Sequence, residues 1–336
     1  MKISVLESGS WGTALAAALA REGHDVLLHS LHSPRSALLY EKRENPRLPG
    51  VELPAELNFA DGADGVEDAE AVLFVTPSFA VRSTAASLRG RIRDDALIIS
   101  AAKGIERGSS LRMSQIIAEE LGGEERLAVL SGPSHAEEVG RGMPTGCVSA
   151  SVSSLTAQRV QDMLMSRSFR IYTSSDVIGV ELCGALKNVI ALCAGVCAGL
   201  GYGDNTAAML MTRGLNEMAN LCAALGGRKE TSAGLAGVGD LIVTCTSRHS
   251  RNRTAGTYIG QGMTVEEACK KVGATVEGYF ATAAALELSK KAGVEMPIAE
   301  ELGMVLFEGK PPREATMELM LRAKKDELVD TWLEGK

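Results

Sequence analysis

MKISVLESGSWGTALAAALAREGHDVLL, residues 1–28, decides the fold of the first half of this chain. An apolar strand (residues 3–6) runs into a tight turn, Gly9-Ser10-Trp11-Gly12. The turn opens a helix of small residues (13–20), and a second strand follows (25–28). Strand, glycine turn, helix and strand in that order make the opening βαβ unit of a dinucleotide-binding sheet. The helix beginning near Ser10 offers unpaired backbone N–H groups and the positive end of its dipole to a pyrophosphate. The usual fingerprint puts glycines at positions 7, 9 and 12, and position 7 is Glu7. Where such a turn needs φ > 0, a side chain costs about 1–2 kcal/mol. A carboxylate ~5 Å from a phosphate adds up to ~3 kcal/mol of repulsion at an effective dielectric of about 20. Glu7 is therefore expected to weaken coenzyme binding, unless a slight shift of the turn points it to solvent.

Outward from that unit, strands are expected at residues 71–75, 96–100 and 127–130, and further ones at 145–150 and 169–173. Helices fall between them at 13–21, 79–88, 110–121 and 135–139. The alternation predicts an α/β, doubly wound, Rossmann-like parallel sheet, and the uniformly apolar strands suit a sheet covered on both faces. After about Asp176 apolar residues recur at helical spacing, beginning with a long, buried stretch (177–198) rich in Ala, Gly and Cys. Thr264 before Val265-Glu266-Glu267 is an N-cap with acids in the first turn. Residues 1–174 read as the dinucleotide-binding domain and 175–336 as an all-helical substrate and catalytic domain. No repeat, low-complexity tract or linker separates them, so they are expected to pack tightly and share a cleft.

The chain of 336 residues can bury two sizeable cores. Its composition, 45% hydrophobic and 23% charged, is that of a globular protein. A net charge of −7 without any strongly basic region argues against nucleic acid as a partner. An anionic ligand then needs a local cluster of Lys and Arg. The seven cysteines are an odd number lying mostly in apolar helical stretches, which fits reduced, buried thiols in a cytoplasmic protein. No Cys/His spacing suggests a metal site. Met1-Lys2-Ile3 starts a strand directly, so no signal peptide is expected. The most apolar run, residues 189–200, is shorter than the roughly 20 residues that a bilayer needs, so no membrane insertion is expected.

Several residues could carry chemistry. The second strand ends in His29-Ser30-Leu31-His32, where NAD sites often have an acid and NADP sites an arginine. Neither is present and Arg35 is the nearest cation, so the choice between NAD and NADP stays open. Lys103 and Gly132-Pro133-Ser134 each follow a strand, at the carboxyl edge where parallel sheets bind ligands. Lys187 lies inside an apolar helix, Leu182-Cys183-Gly184-Ala185-Leu186-Lys187-Asn188-Val189. It must be paired, snorkelling or functional, and burial or a neighbouring cation would lower its pKa to a useful acid/base value. Ser247-Arg248-His249-Ser250-Arg251-Asn252-Arg253 combines an N-cap serine, three arginines and a helix start, which suits a phosphate. Asp240 is the acid best placed to orient a lysine or a substrate hydroxyl. Each has a plainer reading beside it: a solvated loop lysine, a helix-surface lysine and a solvated basic turn.

Together these segments resemble NAD(P)-dependent glycerol-3-phosphate dehydrogenase of the bacterial type, over nearly the whole chain. The resemblance rests on Gly9-Ser10-Trp11-Gly12-Thr13-Ala14, Val75-Thr76-Pro77-Ser78, Lys103-Gly104-Ile105-Glu106 and Ser131-Gly132-Pro133-Ser134-His135-Ala136. It continues through Leu186-Lys187-Asn188-Val189, Gly201-Tyr202-Gly203-Asp204-Asn205-Thr206, Gly237-Val238-Gly239-Asp240-Leu241, Ser250-Arg251-Asn252 and Val276-Glu277-Gly278-Tyr279. It implies reversible interconversion of sn-glycerol 3-phosphate and dihydroxyacetone phosphate with NAD or NADP, feeding glycerophospholipid synthesis, in a homodimer. By matched position Lys187 is the general acid/base and Lys103 touches both substrate and cofactor. Gly132, Ser134, Asp240, Ser250, Arg251 and Asn252 line the substrate site. Gly9, Ser10, Trp11, Gly12, Ala136, Arg251, Thr275 and Glu277 lie on the cofactor. Two departures fall in the cofactor half: Glu7 replaces the family's first glycine, and Leu31 stands where the adenosine-side arginine is expected, with His32 as its partial substitute. Two other readings stay open: a catalytically impaired ligand-binding or regulatory relative, and a dehydrogenase of another hydroxy acid or sugar phosphate.

Overall fold

Eight short strands, most of them apolar on both sides, pair into one sheet in the computed structural model, which describes residues 1–324 and 326–327. They are β1 (Lys2–Leu6), β2 (Asp25–Ser30), β3 (Asn58–Asp61), β4 (Ala71–Phe74), β5 (Leu97–Ser100), β6 (Leu127–Ser131), β7 (Thr145–Ala150) and β8 (Phe169–Ser174). Every residue of β4, β5 and β6 is buried. The period of two is visible in the packing: Leu73, Leu97 and Ile99 join one core while Val72, Phe74 and Ile98 join the core on the opposite face. The strand order is β3-β2-β1-β4-β5-β6-β7-β8. Its first six positions reproduce the 3-2-1-4-5-6 order of the doubly wound dinucleotide fold, which binds ligands at the carboxyl edge where the order reverses, here between β1 and β4.

Three features depart from the sequence reading. β3 was not anticipated, because Asn-Phe-Ala-Asp is a four-residue edge strand with no fully buried position. Nor were the helices Ser36–Lys42 and Ser154–Leu164. The sheet is also not wholly parallel: β7 runs antiparallel to β6, while the other neighbouring pairs are parallel. The chain turns back at the edge where β6 ends, through the short helix Ala136–Gly140, and pairs Ser131 with Val148 and Val129 with Ala150.

From Val177 onward every regular element described is helical. The first helix, Val177–Gly199, is capped by Asp176, whose Oδ1 accepts from Gly179 N at 2.9 Å. It is buried continuously from Gly179 to Val196. Its 23 residues are long and apolar enough to cross a membrane, so the length argument from residues 189–200 does not hold for the folded helix; its burial inside the protein makes it a core helix. The helix Arg251–Gly260 lies alongside it at backbone distance. A Cβ on Gly195 would stand 2.1 Å from Arg253 O, one on Gly256 2.1 Å from Leu192 O, and one on Gly260 2.3 Å from Val196 O. Gly195/Gly199 and Gly256/Gly260 thus form two four-residue steps that let the helices touch along their length. This contact carries the N-terminus of Arg251–Gly260 to the middle of the long helix, where Asn252 meets Asn188, the residue after Lys187. Gly195→Ala is therefore expected to lower stability by about 1–3 kcal/mol through overpacking, read as a fall in thermal midpoint. An unchanged midpoint would show that the helices can separate without cost.

Candidate active site

The site is built where the carboxyl edge of the sheet meets the long helix. Beyond β5 the chain brings Lys103 to that edge, and beyond β6 it turns at Gly132. Gly132 has φ +154, and a Cβ there would be 2.9 Å from both Gly146 O and Cys147 Cα, so only glycine lets the loop lie against β7. Its carbonyl accepts from Lys103 Nζ at 3.0 Å and from Ser134 Oγ at 2.9 Å. From the other side Gly184 seats the long helix directly on this edge, since a Cβ would meet Ser131 Oγ at 2.8 Å and Lys103 Cγ at 3.7 Å. One turn later that helix presents Lys187.

Asp240 joins the two sides. It starts the helix Asp240–Thr246, just after the wide turn Leu235–Gly239, and is 1% exposed. Its Oδ1 accepts from Lys187 Nζ at 2.7 Å and its Oδ2 from Lys103 Nζ at 2.6 Å. Thr244, one turn further on, places Oγ1 2.7 Å from Lys187 Nζ. Burial pushes the Asp240 carboxyl up, but the Lys103 and Lys187 ammonium groups outweigh it and hold the pKa below the usual carboxylate range. Burial pulls Lys187 down, Asp240 opposes, Lys103 adds to the fall, and the result is about 8. An amine with that pKa is charged at neutral pH yet gives up its proton readily.

Ser250 caps the helix Arg251–Gly260, its Oγ accepting from Arg253 N at 3.2 Å. Arg251 is the first residue of that helix and its side chain is exposed, close enough to Arg47 and Glu277 to shift their titration. Asn252 is buried and used internally: Nδ2 donates to Asn188 Oδ1 at 2.8 Å and Oδ1 accepts from Gly278 N at 2.8 Å. Among the expected substrate residues it therefore ties three helices together. Glu277 receives Ser78 Oγ at 2.7 Å, which links the helical half to the loop after β4. Burial raises the Glu277 pKa, against the pull of Ser78 and Arg251.

On the coenzyme side, Gly9 has open space where its Cβ would be, while a Cβ on Gly12 would fall 2.2 Å from Glu7 O. The turn is thus tight within and open without, and no side chain caps the helix Ser10–Arg21. These features fit a dinucleotide pyrophosphate. Ser10 Oγ donates to Arg47 O at 2.5 Å. The Trp11 ring packs on the core with Nε1 unpartnered, Ala136 is buried beside Ala14 and Leu48, and Thr275 is half-buried just ahead of the helix Glu277–Ala292. Leu31 packs against the core under β4, and His32 is exposed. Glu7 does not point to solvent. It is 8% exposed with φ +88, and its Oε1 lies 3.7 Å from Arg47.

The sequence reading missed Thr244, Ser78 and Arg47 as partners. Thr244 was findable, four residues after Asp240 on one helix face; the other two lie far along the chain from the groups they touch. Asp240→Asn would leave two ammonium groups facing each other without a counter-charge. It is expected to cost about 3–5 kcal/mol in urea unfolding at pH 7, with a smaller loss at pH 10, where Lys187 is neutral. Equal losses at both pH values would argue against the charge account.

Comparison with known proteins accords with this geometry. A family model described as NAD-dependent glycerol-3-phosphate dehydrogenase N-terminus matches residues 2–157, and one described as its C-terminus matches residues 176–317. The chain is 51% identical over 333 residues to glycerol-3-phosphate dehydrogenase (NAD(P)+) of Desulfitobacterium hafniense, covering 99% of this chain and 94% of that one. It is 50% identical over 336 residues to the protein of the same name from Pelotomaculum thermopropionicum, covering 99% and 96%. The crystal structure of glycerol-3-phosphate dehydrogenase from Coxiella burnetii superposes with a TM-score of 0.91 at 38% identity, over 96% of this chain and 99% of that chain.

Proposed function

The chain belongs to the NAD-dependent glycerol-3-phosphate dehydrogenase family, and on that premise we propose how its residues divide the work. It is an NAD(P)-dependent oxidoreductase that interconverts sn-glycerol 3-phosphate and dihydroxyacetone phosphate. The observation that carries the assignment of roles is Lys187, a buried amine at the sheet edge with a pKa brought to about 8 and held by Asp240 and Thr244.

In the reductive direction the Lys187 ammonium gives a proton to the substrate carbonyl oxygen; in the oxidative direction the neutral amine takes the hydroxyl proton. The nicotinamide coenzyme, when bound, supplies or takes up the hydride. Gly9, Ser10, Trp11 and Gly12 hold its pyrophosphate through the bare helix N-terminus, with Arg251, Ala136, Thr275 and Glu277 around it. Asp240 keeps Lys187 aimed and charged, and Lys103, fixed by Asp240 and the Gly132 carbonyl, faces the substrate with Ser134. Two ammonium groups against one carboxylate leave a net positive charge that favours an oxyanion developing on the substrate. The substrate phosphate goes to Ser250, Arg251 and the end of the helix at Asn252. Arg251 is the only one of these with a free guanidinium fork, so it serves phosphate and coenzyme alike. Residues 1–174 are read as the coenzyme domain and 175–336 as the substrate domain.

The same reading puts the enzyme in the cytoplasm, in keeping with seven free thiols. It also makes the enzyme a homodimer, for which Met209, Met317, Met320 and Leu321 offer exposed apolar surface.

Lys187→Ala is expected to cut kcat for coenzyme-dependent reduction of dihydroxyacetone phosphate by about 10²–10⁴-fold. Because reduction needs the ammonium form, the wild-type rate should fall as pH rises through about 8, and the oxidative rate should rise over the same interval. A variant within tenfold of wild type, or a profile flat across that interval, removes Lys187 from the proton step. Arg251→Ala should raise KM for dihydroxyacetone phosphate at least ~tenfold, the loss of one charged hydrogen-bonding group; an unchanged KM would move the phosphate elsewhere.

A further inference from the structure

Glu7 is the one residue of the coenzyme turn whose chemistry the family roles leave unused. Its backbone sits at φ +88, in the region that favours glycine. Its side chain is nine-tenths buried, at 10% exposure. Oε1 lies 3.7 Å from Arg47, and Oε2 is buried with no hydrogen-bond partner among the described residues. A buried acceptor without a donor is costly and uncommon. It marks a place where a ligand's donor fits.

Position identifies the donor. Glu7 N donates to His29 O at 3.0 Å, which extends the β1–β2 ladder by one step beyond the Leu6–His29 pair. Glu7 therefore stands beside Ser30, the last residue of β2. Dinucleotide sheets commonly carry at that strand end the acid that accepts a ribose 2′-hydroxyl. Here the strand ends in Ser30, Leu31 and His32, and Ser30 Oγ is hydrogen-bonded to Ser8 Oγ at 2.8 Å. The carboxylate missing from β2 is supplied one strand over. The loop carrying Arg47 is pinned to the same turn: Asn45 Nδ2 donates to Ser8 O at 3.0 Å and to Thr13 Oγ1 at 2.7 Å, and Ser10 Oγ donates to Arg47 O.

We propose that Glu7 is the coenzyme-selecting residue: its free carboxylate oxygen accepts the adenosine ribose hydroxyl of NAD(H), and its charge, paired with Arg47, disfavours a 2′-phosphate. NADP(H) lacks the 2′-hydroxyl donor, which carries a phosphate instead, and brings added negative charge to the buried acid. The Arg47 guanidinium beside it is already engaged by Glu7. This deepens the dehydrogenase reading and rests on it, and it gives the acid at position 7 a selective role in place of the general weakening expected from sequence.

The test is calorimetric titration of NADH and of NADPH into substrate-free wild type, Glu7→Gly and Glu7→Gln, followed by kcat/KM for each coenzyme with dihydroxyacetone phosphate. Glycine suits φ +88, and glutamine keeps the side-chain shape while removing the charge. Wild type is expected to bind NADH at least ~tenfold tighter than NADPH. Both variants should narrow or reverse that ratio by about tenfold, in binding and in kcat/KM alike. Equal affinities or an NADPH preference in wild type, or a ratio unchanged in both variants, overturns the proposal. Turnover with an unchanged ratio would sink this proposal alone. A shifted binding ratio without turnover of dihydroxyacetone phosphate would sink the reaction and leave the selectivity standing.

Discussion

A single buried carboxylate, shared between two ammonium groups, is the interaction on which the site depends. Asp240 receives Lys103 from the sheet edge and Lys187 from the long helix. Without it neither lysine has a counter-charge, and two cations would face each other in a desolvated space. With it, burial and the second lysine lower the Lys187 pKa while the carboxylate limits the fall. The same contact holds the two halves of the chain in register and sets the proton affinity of the proposed acid.

That contact needs backbones to come unusually close, and glycine provides the approach. Gly184 lets the long helix rest against Ser131 and Lys103. Gly195 and Gly256 let the helix Arg251–Gly260 lie against the long helix, which brings Asn252 onto Asn188, beside Lys187. A methyl group at any of these positions would stand closer to its neighbour than van der Waals contact allows, so the packed elements would have to part. The proposed roles of Lys187, Ser250 and Arg251 thus depend on tight helix packing, and those of Lys103 and Ser134 on the loop at Gly132.

The coenzyme side is organised differently. There the turn itself carries a strained, buried acid, and a loop from beyond β2 is pinned to it by Asn45 and by Ser10. Strain of this kind persists only where surrounding contacts enforce it, and it concentrates at ligand sites. Each oxygen of Asp240 is matched to an ammonium group, whereas Glu7 retains an unmatched acceptor.

How far the sequence went can be argued residue by residue. The strand–turn–helix of residues 1–28, the buried strands β4 to β6 and the long apolar helix were legible, because alternation and helical spacing are written in neighbouring residues. Lys187 was legible too, since a lysine amid Leu, Ala and Val demands an explanation. β3 was not, being short and polar, nor was the reversal of β7, because a strand's own residue pattern does not report its direction in the sheet. The counter-ion of Lys187 is 53 residues away and that of Lys103 is 137, and no local period reports such distances. Glu7 shows the division most clearly. Sequence determined that an acid occupies a glycine's place, but only the packing of Arg47 and the end of β2 around it decided that the acid is buried with one oxygen unpartnered, because burial depends on what the fold brings near.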